Sequence, residues 1–268
     1  MPRIVSTDQA AQYVKAVVLG APKVGKTFCA GTLSEFWGKK QPLKDLYWIG
    51  LDVNAVAGFA EQGIVAPYVW DFSNVKPNAF GVEIDRMLAD LQTVMKETPI
   101  KGVVVDTISA LDIMAQDAAD AKDLEAFPKW DYVKSMHKKI MDPLLRMPVP
   151  VVFLAHYKQQ QEGSDKSEAG KLLKNRAAAH SMDGGGALVL AVSGGAAAIY
   201  KREVECVLVL DKVAVKPGVE ERRLYDGKGE VEGGSRYRME LNGEEANLKK
   251  LFEKFRTNAL KGIEGASK

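Results

Sequence analysis

The chain has 268 residues, of which 46% are hydrophobic and 27% charged, a globular balance with length enough for one large α/β core. A formal net charge of +2 excludes a global field for nucleic acid or a membrane surface, so any such surface must be local. Cys29 and Cys206 make neither a disulfide framework nor a metal-ligand spacing. No signal-like leader or run of roughly 18 apolar residues is seen, so a soluble, cytoplasmic protein with no membrane partner is expected.

Strand-like apolar runs alternate with helical patterns, which predicts a mostly parallel central sheet flanked by helices, an α/β fold. Val14 to Leu19 reads as a buried strand and Lys26 to Trp37 as the helix after it. Leu46 to Leu51 is a second strand. Phe80 to Glu97 carries Val82, Ile84, Met87, Leu88, Leu91 and Val94 at helical spacing. Gly102 to Asp106 is a third strand. Trp130 to Met147 is an amphipathic helix bounded by Pro148 and Pro150, and Val151 to Ala155 is a further strand.

Gln159 to Gly186 is polar and rich in Gly, Lys, Gln and Ser, the composition of a flexible or functional loop. Val204 to Leu210 then reads as a strand. Arg222 to Tyr225 and Arg236 to Leu241 read as a pair of shorter strands added to the sheet. Ala246 to Arg256 is a short helix followed by a polar tail. Residues 1–245 are taken as the core and 246–268 as a C-terminal helix and basic tail.

Gly20-Ala21-Pro22-Lys23-Val24-Gly25-Lys26-Thr27, followed by Phe28, matches the phosphate-binding pattern G-x-x-x-x-G-K-[ST] between a predicted strand and a predicted helix. The glycines let backbone N–H groups surround phosphates, and the following helix adds its positive end. Lys26 is expected at the β- and γ-phosphates of ATP and the Thr27 hydroxyl at Mg2+. Lys23 either touches phosphate or is an exposed loop lysine.

A P-loop enzyme needs a carboxylate at a neighbouring strand tip to hold the magnesium shell. Val103-Val104-Val105-Asp106 supplies one, the alternative being a helix-capping Asp106. Val151 to Ala155 ends in His156-Tyr157-Lys158, so His156 would lie beside the γ-phosphate, unless it is simply an exposed loop histidine.

The GAPKVGKT loop, the VVVDTIS strand, the Trp130 helix and the VVFLAHYK strand, in that order, resemble the phage-encoded AAA-type nucleotide-binding proteins with a RecA-like core. Some of that family are described as ATP-dependent single-strand annealing proteins that work with a single-stranded-DNA-binding protein. The resemblance spans about Val14 to Leu241. It implies a RecA-like P-loop ATPase and homo-oligomer, with Lys26 and Thr27 at phosphate and magnesium, Asp106 at a magnesium-bound water, and His156 as sensor. It also puts residues 159–186 where a DNA-binding loop would lie, with Lys158, Lys166, Lys171, Lys174 and Arg176 available to phosphates. A solvated loop without DNA is the alternative. Where such ATPases carry a glutamate to orient the attacking water, this chain has Asn54. Either Asp52 takes the proton instead, or hydrolysis is slow.

Val192-Ser193-Gly194-Gly195 is better read as a helix start than as a transporter-type signature, since Ala196 to Arg202 continues helically. Arg236 and Arg238 would face one side of a strand; the resemblance implies that an arginine here reaches a neighbouring subunit's nucleotide, and surface salt bridges are the alternative. Lys249, Lys250, Lys254, Arg256 and Lys261 make a basic helix end and tail, for DNA or for solubility. From Asp106 to Asp131 seven acidic residues stand against two lysines, which argues against DNA there. The leading function is an ATPase that binds single-stranded DNA and assists phage recombination or annealing. A nucleotide-gated binding module with little turnover, a P-loop small-molecule kinase and a helicase-type motor are the alternatives.

Overall fold

The computed structural model describes residues 13–52, 57–60, 62–159, 188–216, 219–226 and 241–266. In chain order the elements are β1 (Lys15–Leu19), α1 (Lys26–Gly31), β2 (Leu46–Gly50), α2 (Ala57–Ala60), β3 (Tyr68–Asp71), a 3-10 turn (Pro77–Ala79) and α3 (Phe80–Glu97). They continue with β4 (Gly102–Asp106), α4 (Ile108–Asp120), α5 (Ala126–Leu145), β5 (Val151–Ala155), β6 (Tyr157–Gln159) and β7 (Leu188–Leu190). The last are α6 (Gly194–Glu203), β8 (Cys206–Lys216), β9 (Val219–Asp226), β10 (Asn242–Glu245) and α7 (Leu248–Ala266).

Eight strands form one sheet in the order β10-β9-β8-β1-β5-β4-β2-β3. Every pairing from β8 to β3 is parallel, and only β8–β9 and β9–β10 are antiparallel. The parallel strands β1, β2, β4 and β5 are buried along their whole length, as a sheet with helices on both faces requires. Alternate residues therefore feed two cores. Val17, Val103, Val105 and Phe153 pack against α3, α4 and α5 on one face. Val18, Trp48, Val104 and Leu154 pack against α1 and α7 on the other. This is the expected α/β architecture. β1, β4 and β5 all run the same way, so their C-terminal tips, Leu19, Asp106 and Ala155, open on one edge.

Several elements depart from the sequence expectation. The helix after the P-loop stops at Gly31 instead of Trp37. There the Thr32 hydroxyl bonds back to the Cys29 carbonyl, the Ser34 hydroxyl and the Glu35 N–H turn to the Asp45 carboxylate, and Trp37 folds onto Gly31. The amphipathic helix begins at Ala126, a turn before Trp130, and ends at Leu145. β8 runs on to Lys216, past the expected end at Leu210, because it leaves the sheet in a ribbon with β9. The partner of β9 on its far side is Asn242–Glu245, while of the expected strand Arg236 to Leu241 only Leu241 is described. α7 continues through Ala266 instead of giving way to a tail after Arg256, and its Leu248, Leu251, Phe252 and Phe255 are buried against the sheet.

Candidate functional site

The P-loop joins β1 to α1, and its local conformation follows from its residue types. Gly25 sits at φ +102°, in the left-handed region, and Lys23 at φ +63°. At Gly20 a Cβ would stand 2.7 Å from Val24 Cγ1 and 2.9 Å from the Leu210 carbonyl oxygen, so only glycine lets the loop pass β8. Val24 is buried and pins the loop's middle, while Pro22 and Lys23 are exposed.

Lys26 is 5% exposed and its ammonium turns back under the loop. It donates to the Gly20 and Ala21 carbonyls at 2.9 Å each and lies 3.0 Å from His156 Nδ1. An ammonium only donates, so Nδ1 accepts and Nε2 carries the imidazole proton. Burial draws the Lys26 pKa down to about 8, with Asp106 and Asp52 opposing. Burial and then Lys26 likewise hold His156 below its ordinary range, which keeps the ring neutral. His156 is thus half-buried in the site and is not an exposed loop histidine.

Thr27 Oγ1 donates to Asp106 Oδ2 at 2.7 Å. Asp106 is 3% exposed, and burial pushes its pKa up to about 6 against the pull of Thr27 and Lys26. The buried indole N–H of Trp48 stands close enough to favour the Asp106 anion, yet makes no hydrogen bond of proper geometry. A buried carboxylate beside a hydroxyl at a P-loop is a hard-oxygen donor set, and it fits magnesium held through Thr27 and a water on Asp106. The helix cap after β4 is Thr107, whose side chain accepts from the Ala110 N–H at 3.1 Å, so Asp106 is free of capping duty. The Asp106 carbonyl instead accepts the Leu51 and Asp52 N–H groups, which brings the Asp52 side chain to the same opening.

These groups line one cavity of about 290 Å³, formed by Lys23, Gly25, Lys26, Thr27, Phe28, Asp52, Gly58, Asp106, Thr107, His156 and Arg222. Four separate strand tips therefore meet at this cavity: β1, β2, β4 and β5. Cys29, behind the loop, is buried with its pKa pushed up to about 12 by that burial, the behaviour of a packing thiol. Gly58, Thr107 and Arg222 also line it without a place in the expected site, and of these Arg222 alone is charged. Arg222 shares a strand face with the buried Leu224, but what brings that face over the loop is the pairing of β9 with β8. The Ser109 hydroxyl accepts the His156 N–H at 2.9 Å and fixes the strand tip, a role that no motif in the sequence marks.

Asn54, Lys166, Lys171, Lys174, Arg176, Arg236 and Arg238 lie outside the described residues, as does the side chain of Lys158. The strands that flank the polar segment are described. β6 leaves directly from His156 and pairs antiparallel with β7, Tyr157 opposite Leu190 and Gln159 opposite Leu188. The Ala191 N–H donates to the His156 carbonyl at 2.9 Å. Ser193 opens α6 as expected, and its hydroxyl donates to Asp112 Oδ1 at 2.8 Å. In the basic C-terminal helix Lys250 pairs with Glu245 and Lys254 with Glu244, so two of its cations are already partnered.

Among the described residues no helix is long and apolar enough to cross a membrane, and no cluster of His, Cys, Asp and Glu could hold a metal by protein ligands alone. The family model for an AAA domain matches residues 12–192. No curated protein matches the chain. Among solved structures, a KaiC-like protein from the hyperthermophilic archaeon Pyrococcus horikoshii OT3 is similar with a TM-score of 0.44 and 13% identity, over 86% of this chain and 83% of that one.

Proposed function

This chain belongs to the AAA-domain family, and from that premise we propose that it is a magnesium-dependent ATPase whose turnover is coupled to single-stranded DNA. The observation that carries the ATPase reading is the convergence of Lys26, the Thr27–Asp106 pair, Asp52 and His156 on one cavity beside the P-loop. Lys26 neutralises the β- and γ-phosphates, and the loop's backbone N–H groups hold them. Bound magnesium supplies charge neutralisation at the phosphate oxygens, with Thr27 and Asp106 as its protein partners. Asp52 accepts a proton from the attacking water as the bond between the γ-phosphorus and the bridging oxygen breaks, which yields ADP and phosphate.

His156 ties the nucleotide to the rest of the fold. Its Nδ1 accepts from the same ammonium that phosphate would draw away, and its backbone begins the β6–β7 hairpin. This supports the reading of residues 159–186 as a strand-binding segment whose Lys166, Lys171, Lys174 and Arg176 neutralise DNA phosphates, the activity that annealing or recombination of a phage genome would use. The resemblance of the motifs supports the same reading. The test is ATP hydrolysis with and without single-stranded DNA, joined to a salt titration of binding. The fourfold alanine variant at Lys166, Lys171, Lys174 and Arg176 should lose the stimulation and flatten the salt dependence by about two or more units, at roughly −0.7 per phosphate contacted. Equal weak binding of single- and double-stranded DNA, unaltered in that variant, refutes the DNA half and leaves the ATPase standing.

A further inference from the structure

Besides Lys23 and Lys26 of the loop itself, the cavity is lined by a cation from a distant strand, Arg222. β8 passes β1 with Val209 opposite Leu19 and then overshoots the sheet edge as far as Lys216. β9 returns along it with Arg222 opposite Lys212 and Leu224 opposite Leu210. Leu210 and Leu224 are buried in the layer that also holds Val24 and α1. Arg222 lies two residues from Leu224 on the same strand face, which puts its side chain over the P-loop.

The guanidinium is fixed there. Its Nε donates to the Val24 carbonyl at 2.9 Å. A Cβ on Gly25 would stand 2.5 Å from that Nε and 3.0 Å from Cζ, so the planar group lies against the bare Cα of the last loop glycine. The Nε–H is one of five donors, and the four on the Nη atoms have no partner among the described residues. Arg222 lines the same cavity as Lys26 and Asp106.

Sheet order decides which end of a nucleotide it meets. Asp52, Asp106 and His156 follow β2, β4 and β5, all on one flank of the P-loop, whereas β8 and β9 lie on the other. The carboxylate flank is where magnesium and the terminal phosphate belong. Arg222 therefore stands at the opposite end. We propose that Arg222 binds the α-phosphate of the nucleotide in cis, as a ground-state anchor rather than a transition-state arginine. This assignment rests on the P-loop reading above. The anchored fork suits two phosphate oxygens, which a lysine ammonium cannot match.

The test is titration calorimetry of ATP and of ADP, each with magnesium, on the wild type, Arg222→Ala and Arg222→Lys, with single-turnover hydrolysis and apo thermal unfolding of each. Arg222 is exposed on its strand, so the variants should unfold with the wild type. Arg222→Ala should weaken ATP and ADP by the same factor, about tenfold or more, with the rate of bound ATP unchanged, and Arg222→Lys should recover only part of the loss. Loss for ATP alone, or a fall in rate at unchanged affinity, would place the arginine at the γ-phosphate and overturn the proposal. Unchanged affinities with a lower apo midpoint would reduce it to a brace on Val24 and overturn it equally. A wild type that binds neither nucleotide sinks the P-loop reading and this assignment together, whereas equal binding by wild type and variant sinks this assignment alone.

Discussion

Replacing Asp112 with alanine should destabilise the fold severely, because this carboxylate gathers three donors in a dry place. Its Oδ1 accepts from His137 Nε2 at 2.9 Å and Ser193 Oγ at 2.8 Å, and its Oδ2 from Gln116 Nε2 at 2.8 Å. His137 is 0% exposed and also meets Tyr200 Oη at 3.1 Å, so its ring cannot turn to water for a partner. Burial alone would raise the Asp112 pKa, yet the hydrogen bonds from His137 and Ser193 outweigh it and hold the carboxyl below its ordinary range. A depressed carboxylate pKa contributes stability at neutral pH that is lost as pH falls below that ordinary range. Stranding a buried donor costs about 1–3 kcal/mol, and three donors lose their acceptor here, so Asp112→Ala should lose about 3–5 kcal/mol. Asp112→Asn keeps one acceptor and should lose about 1–2. Urea unfolding reads this as a midpoint roughly 1 M or more lower for alanine at unchanged slope. A loss of about 1 kcal/mol or less would refute the view that this network clamps α4, α5 and the Ser193 turn together.

Three further outcomes follow from single residues. Lys15 is buried on β1 with its Nζ donating to the Met147 carbonyl at 2.9 Å and to the Val149 carbonyl, and burial lowers its pKa to about 8 against the pull of Glu205. Between about 8 and 10.5 the unfolded chain keeps a proton that the folded chain has released, so stability rises with pH there. Wild type should thus gain on the order of 2 kcal/mol over Lys15→Met by pH ~9.5 relative to pH ~7.5, and parallel urea midpoints would contradict this. Gly25→Ala should abolish nucleotide binding, since the left-handed backbone and the Arg222 contact leave no room for a methyl group; calorimetry that shows wild-type affinity would disprove the loop geometry. Asp52→Asn should slow hydrolysis by about a hundredfold or more at unchanged ATP affinity, and an unaltered rate moves the base elsewhere.

The buried elements were legible because their patterns are uninterrupted. α3, β4 and β5 fall at the expected residues, each marked by a continuous apolar run or a full helical stripe. β3 and α4 had no counterpart in the sequence reading. β3 is a half-buried edge strand of four residues. α4 buries mostly small residues, Ala115, Ala118 and Ala119, among acidic ones, so its stripe is faint. In the site, the P-loop, Asp106, Asp52 and His156 could be found because each closes a strand on the same sheet edge. Arg222 could not, since its place depends on how far β8 overshoots and on the register of β9, neither of which any local pattern encodes.

The central claim is that this cavity binds ATP through Lys26. Titration calorimetry with ATP and magnesium on the wild type and Lys26→Ala tests it most directly, with circular dichroism to show that both are folded. The account predicts saturable one-site binding by the wild type and none detectable in the variant, whose loop has lost the ammonium that bridges Gly20, Ala21 and His156. Equal affinity in the two proteins would contradict it.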